Sequence, residues 1–383
     1  MPTERELQEW FRKAKASRKR SKRGNSVQNG LIVVIALLLA LVALKSSYKS
    51  DGLTSFPELS KLLPTSPFKN ISSPYSRKPI SIRVGNAENL QQYDYSSIDN
   101  FGASTRYNGT SIKELARILS SNAKTDLAKA RMIYAWIAHH IAYDVSGYLS
   151  GNYGDVSPEG VLRSRKAVCS GYANLYKALA QKMGLESFVI EGYAKGAGYA
   201  LGDETQINHA WNAVKIDGAW YLLDSTWGAG HLDNKQFVWD FNPFYFASSP
   251  SQFVYNHLPT DDSWQLLSQP YSKQQFDQLP EISPAFFEYG LSLASHQSHT
   301  IRAEKETEIL LNVPENVTLI SELSSQNSPL GDDYTLIQKR NNQTGIYVTL
   351  PSAGTYQLNI YANPKGKKGT FDHVISYRII ANY

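Results

Sequence analysis

Asp217-Gly218 separates two runs of β-type residues, Asn208 to Ile216 and Ala219 to Thr226. A two-residue Asp-Gly turn between such runs is the strongest short-range hairpin signal a sequence offers, and it sets the register. With Ile216 opposite Ala219, Lys215 faces Trp220, Ala213 faces Leu222, Trp211 faces Asp224 and His209 faces Thr226. Side chains alternate between the faces of a strand, so His209, Trp211, Asp224 and Thr226 share one face. His209 and Asp224 become diagonal neighbours, roughly 7 to 8 Å apart at the backbone and within side-chain reach. A slip of one residue would send them to opposite faces.

Upstream of this hairpin stands Cys169, the only cysteine in 383 residues. The run from Tyr172 to Met183, closed by Gly184, reads as a helix that starts at or just after Cys169. A thiol at a helix N-terminus faces unpaired N–H groups and the positive end of the helix dipole, an environment that favours the nucleophilic thiolate. Each residue alone has a plainer explanation. A lone cysteine is often a small buried hydrophobe, Asp224 can simply end a strand, and His209 can be a satisfied half-buried histidine. Together they supply a nucleophile, a base to take its proton, and a carboxylate to fix the base's tautomer.

The net charge of +5 invites a nucleic-acid reading until it is located. Residues 1 to 23 hold nine Lys and Arg against three Glu and carry +6, so the other 360 residues sum to −1. No basic field covers the folded part, and no nucleic-acid partner is expected. The basic tail, 1–29, precedes an uncharged apolar run of fifteen residues, Gly30 to Leu44, with basic residues concentrated on one side. That pattern reads as a signal anchor with a cytoplasmic N-terminus and exported C-terminal domains. The run is shorter than the roughly 17 to 25 residues of an ordinary spanning helix, and secretion after signal cleavage is the alternative. In an exported chain a single purely structural thiol would be a liability.

Residues 45–79, rich in Ser, Pro and Lys, read as a linker, and Ile80 to Val84 alternates as a short strand would. Two core-facing amphipathic helices are expected over Ser111 to Ser120 and Thr125 to Ile141, with His139 and His140 placed to complement the dipole at the end of the second. Ser146 to Pro158 reads as a polar loop, and Ser187 to Tyr193 as a strand.

The segments Ala167-Val-Cys-Ser-Gly-Tyr-Ala, His209-Ala-Trp-Asn-Ala-Val and Trp220-Tyr-Leu-Leu-Asp-Ser-Thr-Trp-Gly-Ala-Gly230 resemble the three blocks of the transglutaminase-like superfamily, in the branch that includes kyphoscoliosis peptidase. Trp136-Ile-Ala-His-His-Ile-Ala-Tyr-Asp144, Pro243-Phe-Tyr-Phe, Phe253-Val-Tyr-Asn-His-Leu-Pro and Trp264-Gln-Leu-Leu extend the likeness over roughly residues 110 to 290. The resemblance implies an α+β, papain-like core over 80–290 with Cys169 as nucleophile, His209 as base and Asp224 as orienting acid. It implies a cysteine hydrolase of peptide or amide bonds, with a protein or peptide as substrate. A crosslinking transglutaminase and a non-catalytic scaffold that retains the fold are the alternatives.

From about His299 the period is two. Glu308 to Val313, Val317 to Leu323, Tyr334 to Lys339, Gly345 to Leu350, Thr355 to Ala362 and His373 to Ile380 predict a C-terminal all-β immunoglobulin-like sandwich over 291–383. His296 and His299 are spaced like a metal pair but lack a third ligand, and no acidic loop suggests calcium. No metal or other cofactor is expected. The oligomeric state is not legible.

Overall fold

The computed structural model describes residues 82–196, 206–326, 328–340 and 343–382. The expected anchor gains no support from it: 30–44 lies outside these residues, and among the described residues no helix is long and apolar enough to cross a membrane. Of the strand expected over Ile80 to Val84, residues 80 and 81 lie outside the described residues, and Val84 forms an isolated parallel bridge with Trp220.

Four helices build the front of the core: α1 (Ser96–Ser104), α2 (Ile112–Ser120), α3 (Asp126–His140) and α4 (Cys169–Lys182). Side-chain caps start two of them, Ser111 accepting from Glu114 N at 3.2 Å and Thr125 from Ala128 N at 3.1 Å. α2 buries Ile112, Leu115, Ala116 and Leu119 as its periodicity predicts. α3 departs from expectation because it is not amphipathic; every residue from Ala130 to Ala138 is buried. Its second face is covered by α1, where the Arg131 guanidinium grips Asp99 with Nε–Oδ1 and Nη2–Oδ2 distances both of 2.7 Å. A helix enclosed on both sides has no polar stripe to keep.

The α3 terminus corrects the expectation for His140. His139 and His140 donate from Nδ1 to the carbonyls of Ala135 and Trp136, each at 2.8 Å. Burial pushes the His140 imidazole below its ordinary value, which favours a neutral ring over a dipole-paired cation. Within the supposed loop 146–158, Val145–Ser150 is helical, capped by Asp144 and ended by Gly151 at φ 71°.

Behind the helices lies a five-stranded antiparallel sheet of β1 (Ser187–Ala194), β2 (His209–Ile216), β3 (Ala219–Leu223), β4 (Phe246–Ser248) and β5 (His257–Pro259), in the order β4-β3-β2-β1-β5. The β2–β3 register is the one the Asp-Gly turn dictates, with Ile216 opposite Ala219, Lys215 opposite Trp220 and Ala213 opposite Leu222. It runs out at Asn212 opposite Leu223, three residues before Thr226, because the chain turns at Asp224.

The C-terminal part is a two-sheet sandwich. Its strands are β6 (Glu281–Ile282), β7 (Ser292–Leu293), β8 (Thr300–Ala303), β9 (Glu306–Asn312), β10 (Val317–Ser325), β11 (Ser328–Pro329), β12 (Thr335–Arg340), β13 (Gln343–Thr349), β14 (Gly354–Pro364) and β15 (Asp372–Ala381). One sheet runs β6-β15-β14-β10-β11 with β8 parallel on β15, and the other β7-β9-β13-β12. Ile309, Leu311, Ile346, Leu358, Ile360, Val374 and Ile379 fill the space between them. The sandwich joins the core through β6, whose Ile282 pairs with Ile375 while its carbonyl accepts from Asn256 Nδ2 at 3.2 Å.

Candidate active site

Cys169 is the first residue of α4, preceded by Val168 in extended conformation. The first N–H groups of a helix lack partners one turn back; here those of Gly171 and Tyr172 donate to Val168 O at 2.9 and 3.3 Å, which leaves those of Cys169 and Ser170 beside the thiol. Gly171 lets this turn lie close to the preceding segment: a Cβ there would stand 2.6 Å from Ala167 Cβ and 3.0 Å from Val161 Cγ2. The two-residue strand Lys166–Ala167 runs parallel to Ala142–Tyr143, which brings Tyr143 alongside the cysteine. Cys169 itself packs on Ala173 and Ala210 and is 5% exposed.

His209 opens β2, opposite Gly192 of β1. Its Nε2 lies 2.7 Å from Asp224 Oδ2, and the Cys169 side chain lies near enough to the ring to favour its charged form. With Nε2 given to Asp224, Nδ1 is the ring nitrogen that remains for the sulfur. The fold brings His209 and Asp224 into contact, as the hairpin register predicts, and sets Cys169 near the same ring. Asp224 is placed by its own turn: Oδ1 accepts from the Thr226 and Trp227 N–H groups at 2.8 and 3.2 Å, and its N–H donates to Tyr245 O at 2.9 Å. Oδ2 is thereby aimed at the histidine although Asp224 has left the ladder.

A further residue, His257, was not singled out by the sequence reading. It begins β5, has no exposed side-chain surface, and places Nε2 at 3.1 Å from Asp224 Oδ2, the same oxygen that holds His209. The available signal was the block Phe253-Val-Tyr-Asn-His-Leu-Pro: a histidine inside a short, wholly buried strand needs a polar partner. Gly192 allows β5 its close approach, since a Cβ there would fall 2.2 Å from Leu258 O and 2.6 Å from Trp211 Cη2.

Burial works against a charged His209, but the Asp224 carboxylate and the Cys169 side chain, through charge and hydrogen bonds, outweigh it and push the imidazole up to about 10. For Asp224 burial alone would favour the neutral acid, yet the two histidines hold it well below the usual carboxylate range. His257 goes the other way, burial pushing it down to about 4 against the pull of Asp224. One carboxylate thus faces one ring that favours its charged form and one that favours its neutral form. The ligand-capable atoms of His209, Asp224 and His257 lie within 4.8 Å of one another, close enough for a cation, but the shared oxygen already lies at hydrogen-bond distance from both ring nitrogens.

A cleft of about 520 Å³ opens in front of His209, walled by Tyr143, Tyr148, Trp227 and Phe237 and edged by Lys195 and Glu281. Burial is the main cause, and the Cys169 sulfur a further one, that raises the Tyr143 and Tyr148 phenols above their ordinary value. The two rings, 6.0 Å apart, therefore stand beside the thiol at the cleft wall.

Residues 113–225, which contain Cys169, His209 and Asp224, match the model of the transglutaminase-like superfamily, and residues 273–383 match that of the KY-like, immunoglobulin-like domain. Residues 113–225 thus form a transglutaminase-like domain. Among similar proteins, human kyphoscoliosis peptidase is 32% identical over 278 residues, 71% of this chain and 41% of that protein. Lim and transglutaminase domain protein ltd-1 of Caenorhabditis elegans is 34% identical over 53% of this chain and 30% of its own length, and hillarin of Drosophila melanogaster 34% over 47% and 24%. The chain spans about two fifths or less of these curated relatives. The transglutaminase-like core and the immunoglobulin-like region thus occur in the order the sequence motifs predict.

Proposed function

We propose that the transglutaminase-like core is a cysteine hydrolase that cleaves peptide or amide bonds in protein substrates through Cys169, His209 and Asp224. The observation that carries this reading is the buried Asp224–His209 pair, Oδ2 to Nε2 at 2.7 Å, with Cys169 beside the same ring at the start of a helix. His209 takes the thiol proton at Nδ1 while Asp224 holds Nε2, and the sulfur attacks the carbonyl carbon. The developing oxyanion is stabilised by the N–H groups of Cys169 and Ser170 at the start of α4. The C–N bond breaks as the imidazolium gives its proton to the departing amine, which leaves a thioester on Cys169. Water, deprotonated by the same imidazole, then releases the acid and restores the thiol. The similarity to kyphoscoliosis peptidase supports the peptidase direction.

A rapid quench of the chain with peptide amides or activated esters, followed by intact-mass analysis, tests this. An acyl adduct on Cys169 that is absent from Cys169→Ser is the expected result. Product release that persists in Cys169→Ser defeats the proposal.

A second reading, acyl transfer to an amine, is favoured by the burial of the reacting groups. Cys169, His209 and Asp224 are 5%, 6% and 0% exposed, which limits water at the thioester. Adding a dansylated primary amine separates the two. Incorporation of the amine into the product marks transfer, and free acid alone marks hydrolysis.

A further inference from the structure

The neutral histidine behind the carboxylate has a geometry that a filler side chain would not need. His257 is fully enclosed by rings, stacked on Phe253 at 4.0 Å and 13°, with Trp227 at 4.4 Å and Trp211 at 5.0 Å. Its single polar contact through Nε2 is the Asp224 oxygen, and Nδ1 is buried without a partner. Leaving one ring nitrogen unpaired carries a desolvation cost that a satisfied group escapes. A phenylalanine would fit the same aromatic nest without that cost, so packing alone does not account for histidine at this position.

We propose that His257 is a positioning residue, a fixed neutral N–H donor that pins the Asp224 carboxylate in the rotamer that orients His209 toward Cys169. Three restraints then converge on one carboxylate. The backbone N–H groups of Thr226 and Trp227 hold Oδ1, while His257 and His209 share Oδ2. Without His257 the carboxylate keeps its turn but gains freedom to rock about the Oδ1 contacts. It would carry the His209 ring with it, and displacements of about 1 Å in such a constellation cost up to about a hundredfold in rate. Because Asn256, the preceding residue, donates to the carbonyl of Ile282, this donor also stands on the joint between core and sandwich. The proposal rests on the reading of Cys169 and His209 given above.

The test uses the full chain and iodoacetamide, whose target is the sole cysteine. His257→Phe keeps the aromatic nest and removes the donor; His257→Gln places an amide N–H near the position of Nε2; His257→Asn places its amide too short to reach Asp224. The alkylation rate at pH 7 should fall by about ten- to a hundredfold in His257→Phe and His257→Asn. His257→Gln should stay within about threefold of wild type, and the His209 ring NMR signal should shift in His257→Phe and His257→Asn only.

Wild-type rates in all three variants, with His209→Ala strongly impaired, overturn the role of His257 and leave the catalytic reading standing. Equal loss in His257→Gln and His257→Asn overturns it as well, because the donor would then not be what matters, and this pair serves even if His257→Phe does not fold. If His209→Ala itself alkylates like wild type, the underlying reading fails and the proposal falls with it.

Discussion

Replacing Asp224 by asparagine is nearly isosteric, and its consequence follows from who donates to which oxygen. Oδ1 is bound by two backbone N–H groups, so the asparagine oxygen must take that side to keep the turn. Its NH₂ then faces the Nε2 atoms of both His209 and His257, which can no longer donate there. The proton of His209 moves to Nδ1, the edge that must accept the proton of Cys169, and the base is blocked. The electrostatic consequence is of similar weight. His209 stands at about 10 against an ordinary 6.5, and that difference corresponds to roughly 5 kcal/mol in favour of the imidazolium at about 1.4 kcal/mol per unit. Removing the carboxylate deletes the largest influence that raises it and leaves the Cys169 side chain alone to oppose burial. The His209 ring of Asp224→Asn should therefore titrate well below that of wild type by NMR, and alkylation of Cys169 at pH 7 should slow at least tenfold. A variant whose His209 still titrates above 8, or whose alkylation rate stays within threefold of wild type, would refute the account of how the carboxylate acts.

Further outcomes follow from other buried groups. His257 is depressed to about 4, so between pH 6.5 and 4 the unfolded chain binds a proton there that the folded chain does not, and stability falls as pH falls through this window. The loss is on the order of 3 kcal/mol; urea unfolding at pH 7 and pH 4.5 should show wild type losing more stability than His257→Phe by about that amount. Asp224, held low, retains its contribution through this window and gives it up only at lower pH, so it does not mask the effect. Arg131→Met should cost about 3 to 5 kcal/mol, because it strands the Asp99 carboxylate against α3. Urea unfolding measures this, and a loss under about 1 kcal/mol would mean that the pair is solvated.

The Asp217-Gly218 turn and the glycine-ended helix after Cys169 are local signals, and they carried most of what mattered. The turn sets which residues of β2 and β3 oppose each other, and that register places His209 beside Asp224 even though β3 stops one residue short. The alternation beyond His299 likewise marked six sandwich strands, each observed within two residues of its expected ends. What escaped was decided by segments distant in sequence. α1, Ser-Ser-Ile-Asp-Asn-Phe-Gly-Ala-Ser, has little apolar periodicity and gains its place by gripping Arg131, 32 residues later. Its presence is what converts α3 from an amphipathic to an enclosed helix. His257 reaches Asp224 across 33 residues through the pairing of β5 with β1, and no spacing rule within one strand announces it. The short helix Val145–Ser150 depends on one Asp144 cap within a stretch whose composition reads as loop.

The central claim is that His209 makes Cys169 a nucleophile, and the most direct measurement is the rate at which iodoacetamide alkylates the one cysteine at pH 6, in wild type and in His209→Ala, followed by intact mass. The account predicts that wild type reacts at least tenfold faster while both chains show the same unfolding midpoint within a few degrees. Equal rates in the two folded proteins would contradict it.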